Sequence, residues 1–153
     1  MPFQFRFKSL VKHRDFLLRE ARGALGAAQS AKMKVESEIE QLRQALHRES
    51  TQFEDQQREG ISSGRYGYFK EHLALLELEL RQLLVKLEKA SAEVDTRKLA
   101  VVECDKSVKT LESIETRDRE LYKLTLLREE QKKLDYAAVL IAHRKTVDKG
   151  GNP

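Results

Sequence analysis

The stretch that decides the fold is residues 69–111, FKEHLALLELELRQLLVKLEKASAEVDTRKLAVVECDKSVKTL. Its apolar side chains fall at alternating steps of four and three: Phe69, Leu73, Leu76, Leu80, Leu83, Leu87, Ala90, Val94, then Val101, Cys104, Val108 and Leu111. Only Arg97 interrupts the row. This is a heptad seam of about six repeats, with charged residues on the other faces. No proline breaks it, and after Gly67 the next glycine is Gly150. A continuous helix over 66–146 would be roughly 120 Å long at 1.5 Å per residue. Such a helix needs a partner along its seam.

The bulk composition agrees. The chain has 153 residues, 35% charged and 40% apolar, with no Trp and two Pro. Leu, Glu, Lys, Arg, Ala and Gln dominate, as in coiled coils. The regular apolar repeat argues against disorder despite the polarity. The single Cys104 lies on the seam and reads as a small buried hydrophobe; one cysteine permits no internal disulfide. The N-terminus lacks the continuous apolar core of a signal peptide, and no run of 18 apolar residues exists to span a membrane.

A second seam lies upstream. One row is Val11, Leu18, Leu25, Lys32, Ile39, Leu46, Phe53; the other is Phe7, Arg14, Ala21, Ala28, Val35, Leu42, Glu49. The pattern predicts a helix over about 6–58. The opening Phe3-Gln4-Phe5-Arg6-Phe7 has the alternation of an extended piece, but Phe7, Leu10 and Val11 fit a helix entry, so the helix is expected from residue 5 or 6. Its middle is small (Ala21, Gly23, Ala24, Gly26, Ala27, Ala28, Ala31), which would let a partner helix come close and offset the weak helix propensity of glycine.

Between the seams stands Gly60-Ile61-Ser62-Ser63-Gly64. Gly60 suits a left-handed C-terminal cap, and Ser62 or Ser63 an N-terminal cap. A connection this short joins antiparallel neighbours. The expected fold is all-α: a single two-helix antiparallel coiled-coil hairpin over 1–146, with helix one at about 6–58, a turn at 59–64, helix two at about 65–146, and a disordered tail at 147–153. Setting Phe53 beside Phe69 or Leu73 places residue i of helix one opposite about residue 123 − i. Helix one then runs out near residue 118 of helix two. There the seam meets Glu115 and Asp118, and Ile114 and Leu121 suggest a new stripe.

Beyond that point the second helix should project alone for roughly 40 Å. Leu124, Leu127, Gln131, Leu134, Ala138 and Ile141 resume the four-three spacing. An unpartnered helix with such a stripe is marginal in water, so it either self-associates or docks into another protein.

Charge is segregated. Residues 1–34 carry eight Lys or Arg against two acids, and residues 35–59 carry seven acids against three Arg. A basic end could meet nucleic acid or anionic lipid, but no aromatic platform interleaves with it, so a solvated helix face is expected. No glycine-rich phosphate loop, nucleophile elbow or cysteine pair is present, and none of the four His stands four residues from another. The reading is of a protein that is not an enzyme, with no catalytic residues, cofactor, metal, nucleic acid or small-molecule substrate.

Four stretches carry a family resemblance: Phe3-x-Phe5-x-Phe7-x-x-Leu10; the tip Gly60-Ile61-Ser62-Ser63-Gly64-Arg65-Tyr66 with Phe69; the Leu76 seam; and Arg128-x-x-Gln131-Lys132-Lys133-Leu134-Asp135. In these and in its layout the chain resembles the FliJ family, the small coiled-coil component of the bacterial flagellar type III protein-export apparatus. The resemblance implies a protein like the central stalk of rotary ATPases. It implies three partners: the hexameric export ATPase, the cytoplasmic domain of the membrane export gate, and export chaperones. It also implies a cytoplasmic location, peripherally associated with the cytoplasmic face of the inner membrane.

Carried onto this chain, the resemblance assigns Leu121, Leu124, Leu127, Arg128, Gln131, Lys132, Lys133, Leu134 and Asp135 to the ATPase. For the gate, Leu42 and Leu76 match the family's positions and His72 stands where the family has Phe, while Ile61, Tyr66 and Phe69 are expected gate contacts from their place at the turn. The family's aromatic positions are departed from at Ala45, Glu49 and His72. Tyr66, Tyr68 and Phe69 are the aromatics available to replace them. The equivalent stalk of an injectisome and a plain scaffolding coiled coil are the alternative readings.

Overall fold

A computed structural model describes residues 2–150. They form two long helices that pack against each other, α1 (Lys8–Glu59) and α2 (Ser63–Gly150), and the described residues contain no strand. The fold is the all-α helical hairpin expected from the two heptad seams.

The turn is tighter than the expected 59–64. The Gly60 amide donates to the Gln57 carbonyl at 3.3 Å, and Gly60 has φ +91°, the left-handed conformation that closes a helix and suits a residue without Cβ. Ser62 starts α2 as its N-cap. Its Oγ accepts from the Arg65 amide at 3.3 Å and its carbonyl from the Tyr66 amide at 3.0 Å. The Arg65 amide, one that the first turn leaves open, is thereby satisfied, and the Tyr66 amide makes the first i→i−4 bond of the helix.

The chain packs as two compact units. The first unit, Phe16–Asp105, contains the turn. Its core side chains are Leu18, Val35, Ile39, Leu42 and Phe53 from α1 with Phe69 and Val94 from α2. Every one lies on a seam. Leu73, Leu76, Leu80, Leu83 and Leu87 are half-buried, as two helices alone cannot enclose a leucine from all sides. Cys104 is also half-buried. Phe53 meets Phe69 with ring centroids 5.3 Å apart, and Glu49 faces His72 at 3.9 Å, both close to the expected 123 − i pairing.

Arg97, the break in the seam, is exposed and turns back one helical turn to Glu93, its Nε 2.7 Å from the carboxylate. The small middle of α1 admits no close approach at its glycines, for a Cβ added at Gly23 or Gly26 would meet nothing within 4 Å. The glycines are open positions rather than packing devices.

The second unit comprises Met1–Asp15 with Lys106–Pro153. Here α1 begins at Lys8, later than expected, because residues 2–5 lie outside any helix and Arg6 and Phe7 form a turn. The Val11 amide donates to the Phe7 carbonyl at 2.9 Å, which is the first helical bond. Phe5 is buried, along with Val108 and Leu111. The seam of α2 does not shift to a new stripe. Glu115, Asp118 and Tyr122 continue the old spacing and are half-buried, whereas Leu121 is 55% exposed. Ion pairs explain how acids hold seam positions: Asp118 takes Arg6 at 3.5 Å, and Glu115 takes Arg119 at 3.2 Å. The helix then continues past the expected end at 146 to Gly150; the rest of the expected tail, 151–153, lies outside the described residues.

Candidate functional site

The residues read as partner contacts fall into two sets, one between Leu42 and Leu76 on either side of the turn and one on α2 from Leu121 on.

At the turn, Phe53, Tyr66 and Phe69 form an aromatic cluster, with Tyr66 5.4 Å and Phe69 5.3 Å from Phe53. Phe69 is 6% exposed and Leu42 9%, so both are core side chains that a partner could touch only by opening the hairpin. Leu76, His72 and Ile61 are half-buried. The accessible aromatics are Tyr66 and, more fully, Tyr68, which stacks on His72 with ring planes 4° apart. Lys70 lies 5.7 Å from the Tyr66 ring centre, within cation–π range. This is a rigid aromatic surface with adjacent charge, a composition suited to protein contacts.

Along the same helix a second apolar row was missed by the sequence reading. Leu78, Val85, Ala92 and Leu99 recur every seven residues, are all exposed, and have exposed Leu75 beside their first member. The signal was in the sequence, because Leu75 and Leu78 alternate with the seam residues Leu73, Leu76 and Leu80. The first seam absorbed the attention due to the second.

Past Tyr122, every described residue of α2 is exposed. All nine residues read as ATPase contacts lie on this helix from Leu121 on. Leu124, Leu127 and Leu134 form one stripe, with Ile141 a further turn and more along it. Gln131 donates from Nε2 to Asp135 Oδ1 at 3.0 Å, bracing that face. Leu126, Tyr136, Val139 and Leu140 are also exposed large apolar groups here. So much apolar area on a single helix exceeds what isolated surface residues explain.

Among the described residues, no group of three His, Cys, Asp or Glu is placed to hold a metal ion, and no helix is long and apolar enough to cross a membrane. The geometry is that of a helical coiled-coil hairpin with exposed aromatics at its turn and exposed apolar groups along the end of α2. The chain belongs to the FliJ family: the family model described as the flagellar FliJ protein matches residues 3–146, nearly the whole chain. Membership makes it a component of the flagellar protein-export apparatus and implies protein partners. No curated protein and no solved structure matches it.

Proposed function

We propose that this protein is the stalk of the export apparatus, a non-enzymatic link between the hexameric export ATPase and the cytoplasmic domain of the membrane export gate that also engages export chaperones. It would work in the cytoplasm, at the cytoplasmic face of the inner membrane. The observation that carries the reading is the wholly exposed apolar helix beyond Tyr122. A helix of this kind is marginal in water and gains from enclosure. A ring pore lined with apolar and acidic loops would cover Leu124, Leu127 and Leu134 while accepting Arg128, Lys132 and Lys133. A single helix among six loops contacts them asymmetrically, as a stalk must.

The gate would meet the turn through Tyr66 and Tyr68, with His72, Ile61 and Leu76 beside them; Phe69 and Leu42 would support that surface from the core. The test is export-ATPase turnover with the intact chain and with residues 124–153 deleted. The cut preserves Tyr122 and hence the packed part of the second unit. Loss of binding and stimulation by a still-helical truncated protein is expected. Equal stimulation by both forms would remove the stalk reading and leave a scaffolding coiled coil.

A further inference from the structure

The exposed end of α2 carries a charge pattern that fits a second copy of itself. Its four-three seam, extended by whole heptads, is Arg117, Glu120, Leu124, Leu127, Gln131, Leu134, Ala138, Ile141, Lys145 and Asp148. All of these are exposed. They also lie on a different face from the internal seam, because Asp118 is displaced from Arg117 by about 100° around the helix. The N-terminal segment that packs on Asp118 and Tyr122 therefore leaves this face open.

In an antiparallel coiled coil each a position packs beside a d position of the other helix. Only one register centres the apolar block on itself. It sets Leu124 against the partner's Ile141, Leu127 against the partner's Ala138, and Gln131 against the partner's Leu134. The same register places Arg117 opposite the partner's Asp148 and Glu120 opposite the partner's Lys145. The flanking positions bring Arg128 to the partner's Asp135 and set one like pair, Lys123 against the partner's Arg144, which the three opposite-charge pairs outnumber. Two-fold symmetry repeats every one of these contacts. Asp135 receives Gln131 on Oδ1, so its second oxygen remains to accept from Arg128.

The parallel arrangement is opposed by the same charges. It would juxtapose Lys123 with the partner's Arg128 and Glu130 with the partner's Asp135, and would set Arg117, Glu120, Lys145 and Asp148 each against its own copy. Like charges at these positions select against a pairing as strongly as opposite charges select for one.

We propose that the helix over residues 117–148 pairs antiparallel with a second copy of this chain, in the register that sets Leu124 beside the partner's Ile141 and Arg128 beside the partner's Asp135. The pairing does not depend on the stalk reading. One consequence does rest on it: the pair covers the face assigned to the ATPase ring, so the ring must displace the second copy.

The experiment uses the purified full-length chain alone, by sedimentation equilibrium up to roughly millimolar concentration. A monomer–dimer equilibrium is expected. Arg128→Asp should weaken it about tenfold, Asp135→Arg should do the same, and the double exchange should restore it to within about threefold of the unaltered protein. A chain that stays monomeric throughout overturns the proposal. So does a double exchange no better than either single one. Strengthening by Arg128→Asp alone would indicate parallel pairing and overturns it as well. None of these outcomes involves the ATPase, so they separate failure of the pairing from failure of the stalk reading.

Discussion

Phe3 lies against Tyr122, with ring centroids 5.6 Å apart and planes inclined by 51°. The Arg119 guanidinium sits 5.2 Å above the same Phe3 ring. The N-terminal segment thus closes the packed part of α2, one turn beyond the Arg6–Asp118 ion pair. Phe3→Ala is expected to lower stability by about 1–2 kcal/mol, from lost aromatic contact and half-buried area. Amide hydrogen exchange should rise at residues 115–122 and stay unchanged near the turn. An unaltered exchange pattern would mean that the segment contributes nothing to this unit.

Burial grades the cost of truncating the seam. Ile39 is 4% exposed, whereas Leu83 is half-buried. Ile39→Ala should therefore cost about 2–4 kcal/mol through lost transfer energy and a cavity. Leu83→Ala should cost less, about 1–2 kcal/mol, since its site already meets water. Urea denaturation gives both values, and equal costs would contradict the burial.

Two glycines should respond in opposite directions. Gly26 is helical with open space around it, so Gly26→Ala is expected to stabilise by about 0.5–1 kcal/mol through helix propensity. Gly60 sits at φ +91°, where an L side chain is strained, so Gly60→Ala should destabilise by about 1 kcal/mol. Thermal melts of the two variants, run side by side, should bracket the parent protein.

The tip sets an exposed aromatic residue beside a core one. Tyr68 is 66% exposed and Phe69 6%. Tyr68→Ala should leave the unfolding free energy within about 0.5 kcal/mol of the parent while weakening gate-domain binding. Phe69→Ala should lower stability by about 3 kcal/mol. Titration with the gate domain, combined with a melt for each variant, distinguishes the two. Full affinity in the Tyr68 variant would shift attention to the exposed row at Leu78 and Val85.

The hairpin was legible because heptad spacing, a glycine at the helix end and serine at the next start each name a local conformation. Phe53, Phe69, Gly60 and Ser62 stand where the pattern puts them. The N-terminal segment was not legible, because Phe3, Phe5 and Phe7 satisfy both a period of two and a helix entry. The choice between them is made by tertiary contact with Tyr122 and Asp118, far away in sequence. Apolarity alone also misjudged the end of the seam. Glu115 and Asp118 looked like a break, yet their ion pairs to Arg119 and Arg6 keep them on the same line. At the candidate sites, residue type gave chemistry but not accessibility: Leu42 and Phe69 face the core, and Tyr68 faces out.

A repeating seam has no intrinsic origin, since sliding one helix by seven residues would again set leucine against leucine. The turn supplies the origin. Gly60 ends α1 and Ser62 starts α2 with only Ile61 between them, leaving no slack to absorb a slip. The hairpin therefore works as a ruler read from its closed end. The number of residues in α1 and the short segment before it sets where coverage of α2 stops, and so how many leucines remain for others to find. A heptad inserted into α1 would move that mark from Tyr122 to the neighbourhood of Glu129, covering the line that continues through Thr125 while leaving Leu124 on the open side.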